Sequence, residues 1–140
     1  MRRRKYLPAI GAAALLLAAL AAGFLFYGRK PFQGLEAADI AVASVTLIPP
    51  DVTLELDEAE IGTLAGLLGD VRITLPDQSY TEYEGQGVLF TVALRDGTVA
   101  EVGAYNPFLI IDGTGYRTAY EPCEALNRFA NELLRERGGN

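Results

Sequence analysis

Apolar and polar positions follow three different patterns along this chain. The first is an unbroken apolar stretch from Ala9 to Gly28, polar only at Tyr27. Twenty residues at a helical rise of about 1.5 Å span roughly 30 Å, the thickness of a bilayer's hydrocarbon core. A core helix would show a polar stripe, and this segment has none. The pattern therefore predicts one N-terminal transmembrane helix over residues 9–28, acting as an uncleaved signal-anchor. Residues 1–8 form a basic N-terminus, 29–38 a connector with Pro31 and Gly34, and 39–137 a folded domain.

The second pattern is alternation. Ile40–Ile48 predicts a strand ended by Pro49-Pro50, and Val52–Leu56 alternates strictly. Val71–Leu75 predicts a third strand. Val88, Phe90, Val92 and Leu94 share one face of a fourth. Arg95-Asp96-Gly97-Thr98 predicts a hairpin into a strand ending at Tyr105, and Asn106-Pro107 turns the chain again. Phe108–Ile111 is apolar throughout, as suits a central strand, and Asp112-Gly113 turns it back through Thr114–Thr118.

The third pattern has helical spacing. Asp57 offers an N-cap, Glu58 and Glu60 lie in the first turn, and Ile61, Leu64, Ala65 and Leu68 follow on one face. Near the C-terminus, Pro122 suits a helix start. Leu126, Phe129, Ala130, Leu133 and Leu134 then form a stripe opposite charged residues. These elements predict an α+β fold. It is an antiparallel sheet of about five to seven strands with two helices packed on one face, preceded by the transmembrane helix.

Charge places this fold in the cell. Arg2, Arg3, Arg4 and Lys5 precede the apolar stretch, and only Arg29 and Lys30 follow it closely. The larger cluster stays in the cytoplasm, so the expected location is the cell membrane, single-pass, with the C-terminal domain extracytoplasmic. The rival reading is a cleaved signal peptide cut near Ala19-Leu20-Ala21. The apolar run continuing through Phe24–Tyr27 favours retention. Lipid attachment after Leu20-Ala21-Ala22-Gly23 is excluded, because Phe24 stands where a Cys is needed.

From residue 31 onward the chain has six Arg, no Lys and all eighteen acidic residues, a net charge of −12. So acidic a surface repels nucleic acid and attracts cationic peptides or divalent cations. The chain has no His, which removes Ser-His-Asp and Cys-His catalysis and the usual zinc sites. Cys123 is the sole Cys, so there is no internal disulfide. It lies on the inward stripe of the last helix between Glu121 and Glu124, an arrangement that suits a buried structural thiol. No cofactor is expected. No metal is expected either, since Asp96-Gly97 and Asp112-Gly113-Thr114-Gly115 supply too few carboxylates for a calcium loop.

The candidate binding residues lie in a loop and two turns. The loop Ser79–Gln86 concentrates Tyr80, Glu82, Tyr83 and Glu84 on a connection, where tyrosine gives contact area at low entropic cost. The turns add Tyr105, Asn106, Asp112, Tyr116 and Arg117, which would form a polar aromatic patch if they cluster. Turn geometry alone also accounts for Asn106 and Gly113.

The succession Ser79-Tyr80-Thr81-Glu82-Tyr83, Asp96-Gly97-Thr98, Tyr105-Asn106-Pro107-Phe108, Ile111-Asp112-Gly113, Gly115-Tyr116-Arg117 and Tyr120–Asn127 resembles small exported or membrane-anchored domains of Gram-positive bacteria, of unknown function. The resemblance covers about residues 40–137 and implies a bacterial envelope protein. It transfers no catalytic residue. The functional expectation is a non-catalytic binding or regulatory module held at the membrane through residues 9–28, with a protein or peptide partner. Its alternatives are a hydrolase-like or thiol enzyme using surface carboxylates or Cys123, and a structural spacer.

Overall fold

The computed structural model describes residues 7–138, and within them the side chains of 9–23 and 28–137. The basic cluster Arg2–Lys5, the side chain of Tyr27 and the tail Gly139-Asn140 lie outside the described residues.

Helix α1 runs Leu7–Tyr27. Gly28 stops it by turning to φ +68, a left-handed conformation that glycine adopts without strain. The expected transmembrane helix needs correction. Among the described residues, no helix is long and apolar enough to cross a membrane. Ten of the fifteen residues Ala9–Gly23 are Ala or Gly, which add little apolar surface each. The expected span rested on continuity of apolar character, which counts Ala and Gly as the equals of Leu and Phe.

Residues 29–38, a connector by sequence, are joined to the sheet. Arg29 exchanges both backbone hydrogen bonds with Ile73, each at 2.9 Å. Phe32 and Leu35 pack against the core, and a short 3-10 turn, Ala37–Asp39, leads into the first strand.

The sheet has seven strands: β1 Ile40–Ile48, β2 Val52–Glu55, β3 Ile73–Pro76, β4 Gly87–Leu94, β5 Val99–Tyr105, β6 Phe108–Ile111 and β7 Thr114–Thr118. Their order is β2-β1-β4-β5-β6-β7-β3, and every pairing is antiparallel. Helices α2 Glu58–Asp70 and α3 Tyr120–Leu133 pack on one face, and a π turn, Leu134–Gly138, follows α3. The fold is thus the expected α+β sheet with two covering helices, without the membrane span.

Local chemistry accounts for each helix. Asp57 caps α2 by accepting from the Glu60 N–H at 2.8 Å, and Glu60 returns the bond to the Asp57 N–H at 2.8 Å. This reciprocal box satisfies two donors that a helix start leaves orphaned. Leu64, Ala65 and Leu68 of α2, with Cys123, Leu126, Ala130 and Leu133 of α3, are buried against Val45, Leu47, Phe90, Val92, Val102 and Leu109 of the sheet. The Phe90 and Phe129 rings stack with centroids 6.2 Å apart.

Only one sheet face is consumed by this core. The opposite, outer face carries the alternate residues of the same strands: Thr46 and Ile48 on β1, Leu89 on β4, Gly103 and Tyr105 on β5, Phe108 and Ile110 on β6.

Candidate functional site

The segment between β3 and β4 builds a roof over half of that outer face. Asp77 anchors its start. The Asp77 N–H donates to the Gly115 carbonyl at 2.8 Å. Asp77 Oδ1 accepts from the Ser79 N–H at 2.9 Å and from its hydroxyl at 2.6 Å. Arg117 Nε donates to Asp77 Oδ2 at 2.8 Å. The two Ser79 bonds first, and the Arg117 guanidinium second, hold this carboxyl below its ordinary range. Gln78 bridges to the next hairpin, accepting from the Gly115 N–H and donating to the Gly113 carbonyl.

A 3-10 turn, Ser79–Glu82, then lays aromatic rings on the sheet. Tyr80 crosses β7 directly over Gly115, where a Cβ would come within 2.6 Å of Tyr80 Cδ1, so only glycine fits. Phe108 is fully buried, yet it belongs to this outer cluster and not to the core under the helices. Its ring centroid lies 6.4 Å from that of Tyr80 and 5.3 Å from that of Tyr83. The Arg117 guanidinium sits 5.0 Å from the Phe108 centroid, a cation–π contact. Farther along, Gly85 passes close against the Tyr105 ring. Gln86 closes the segment by donating to the Pro49 carbonyl at 3.0 Å and accepting from Asn131 Nδ2 at 3.0 Å.

What the roof leaves open is a groove of about 360 Å³. Tyr80, Tyr83 and Gly85 form its loop wall, and Thr46, Ile48, Leu89, Gly103, Tyr105 and Ile110 its floor and far side. Tyr83 is 53% exposed, Ile48 55% and Leu89 37%, so their apolar surface faces water. Gly103 leaves the floor open beside Ile110, where a Cβ would make ordinary van der Waals contact.

The nine residues expected to bind separate into groups. Tyr80, Tyr83 and Tyr105 meet in the groove. Glu82 and Glu84 flank Tyr83 along the loop, both exposed. Arg117 supports the roof from beneath. Asn106 serves the turn instead: its Nδ2 donates to the Tyr120 carbonyl at 3.1 Å and to Glu124 Oε2 at 3.0 Å, tying the β5–β6 turn to α3. Asp112 shapes the β6–β7 turn with φ 49, and its Oδ1 accepts from the Glu101 N–H at 2.8 Å. Tyr116 packs against the helix-side core, on the opposite face from the groove. The two turns sit at opposite ends of β6, so they do not converge on one patch.

The floor residues were missed by sequence reasoning, although a signal existed. In an alternating strand the off-phase positions form the second face. Leu89, Thr46 and Ile48 occupy those positions with more apolar surface than a solvated face needs.

Other chemistry finds little purchase. Cys123 is fully buried, its Sγ donates to the Phe108 carbonyl at 3.6 Å, and burial pushes the thiol up to about 12. It is therefore protonated at neutral pH, and a protonated thiol is not a nucleophile. Among the described residues, no group of three or more Cys, Asp or Glu is placed to hold a metal ion.

Comparison of the chain with protein-family models, with curated proteins and with solved structures finds no match.

Proposed function

We propose that this chain is a non-catalytic binding module whose outer-face groove receives apolar side chains of a protein or peptide partner. The observation that carries the reading is an apolar, water-exposed groove on a sheet face that the roof covers only in part. Loops held on a rigid sheet are where binding residues gather, and tyrosines serve there as stiff amphipathic contacts. A volume of about 360 Å³ lies near the bottom of the ~300–1,000 Å³ range of ligand pockets, so it accommodates one or two side chains and not a large ligand.

The same proposal places the domain outside the cytoplasm. The support is the order at the N-terminus, basic residues followed by an apolar helix, which exported chains carry. A C-terminal epitope should be found in the medium or be removed by protease added to intact cells; an epitope that stays with the cells and is protected until lysis would refute that location.

Peptides selected by display against the full chain should weaken at least tenfold on Leu89→Ser, a loss of about 1.4 kcal/mol. Tyr116→Ala, on the other face, should lower thermal stability and leave the affinity of the folded protein unchanged. Equal binding to wild type and Leu89→Ser would sink the groove as the site.

A further inference from the structure

We infer that the occupant of this groove is a cationic segment: an extended peptide that seats one or two aromatic or aliphatic side chains and carries Lys or Arg on either side of them. The inference rests on the groove reading and adds the chemistry of the partner.

Charge around the groove decides it. Glu82 and Glu84 flank Tyr83 in the loop wall. Glu101 lies on the outer face of β5, one step from Gly103 in the groove floor. Glu55 shares that face on β2, because Thr53, two residues before it, hydrogen-bonds Thr46 across the strands at 2.9 Å. All four carboxylates are exposed, and among the described residues none of them is in an ion pair. The cation beside them, Arg117, is already engaged by Asp77 at 2.8 Å and by the Phe108 ring. The groove is thus an apolar slot inside an uncompensated negative field. Complementary charge speeds encounter and fixes register, while like charge rejects wrong partners.

The same field argues against a second copy as occupant. Face-to-face pairing through the groove would set these carboxylates against their own equivalents, in a domain of net charge −12. Like charges brought together across an interface disfavour that pairing.

The test uses the full chain and three fluorescent ten-residue probes, each with a central Phe-Leu pair flanked by lysines, glutamines or glutamates. Anisotropy should show the lysine probe at least tenfold tighter than the glutamine probe at low salt, and the glutamate probe weakest. The gap should shrink above physiological ionic strength, where screening acts within about 8 Å. Combining Glu82→Arg, Glu84→Arg and Glu101→Arg should reduce the lysine probe to the level of the glutamine probe without altering circular dichroism. Lysine and glutamine probes that bind equally, and both lose affinity on Leu89→Ser, would overturn the charge inference while the groove stands. Probes that ignore Leu89→Ser, or fail to bind, would overturn both. A dimer in sedimentation that dissociates on Leu89→Ser would replace the cationic peptide by a second copy.

Discussion

At the scale of single residues, Asp77 holds the roof in place through three acceptor contacts. Its folded pKa is depressed, while the unfolded chain titrates near about 3.9. The stabilisation it gives is therefore full above that unfolded value and is lost as pH falls through the folded one. Tyr80 and Tyr83 ring resonances should move toward unfolded positions on acidification before the core amides lose protection. In Asp77→Asn the same resonances should be displaced already at neutral pH and change little on acidification; an unchanged acid profile would show that Asp77 does not hold the roof. Cys123 illustrates the opposite case, a residue whose chemistry is silenced by its surroundings. Its sequence neighbours already pointed to a buried thiol, and burial supplies most of the shift.

At the scale of elements, one sheet carries two cores of unequal size. Beneath the helices lies the main one. Above the sheet, Phe108, Tyr80, Tyr83 and Arg117 form a second that depends on the roof segment alone. Gly115 is its keystone, since the Asp77 carbonyl and the Tyr80 ring occupy the space a side chain would need. Gly115→Val should lift the roof, with loss of protection at Asp77 and Gln78 and an overall destabilisation of about 1–3 kcal/mol, the usual range for overpacking. Chemical denaturation with hydrogen exchange reads both. Much of this layer was legible beforehand. Strict alternation in Val52–Leu56 and Val88–Leu94, and the turns at Asp96-Gly97 and Asp112-Gly113, mark strands by a period that physics imposes on any half-buried sheet. The roof was not legible, because residues 76–87 have no period to follow. β6 was ambiguous for a related reason. Phe108-Leu109-Ile110-Ile111 is apolar at every position, so the sequence conceals that Leu109 and Ile111 face the helices while Phe108 and Ile110 face the roof and groove. Of the nine candidate residues, the three tyrosines that converge were named on residue type. The turn residues Asn106 and Asp112 shared that polarity but spend it on their own backbone neighbourhood. Tyr116 shows the limit of reading type without phase: it alternates with Arg117, so the two could never share a face.

At the scale of the whole molecule, the N-terminal helix and the sheet meet at a joint without slack. Gly28 turns left-handed where a side chain would collide with the Ile73 carbonyl, and Arg29 at once pairs with Ile73 in both directions. Inserting Gly-Ser-Gly between Gly28 and Arg29 should leave the melting temperature within a few degrees, since lengthening a surface connection costs only about 0.6 kcal/mol per doubling and leaves the Arg29–Ile73 pairing intact. Gly28→Val should instead break the pairing and speed amide exchange at Arg29 and Ile73. Retained protection there would show that the joint tolerates a side chain. The consequence is mechanical. A pull along the helix would load the two Arg29–Ile73 hydrogen bonds at the outermost ribbon of the sheet, and the next stretch of chain after that ribbon is the canopy over the groove.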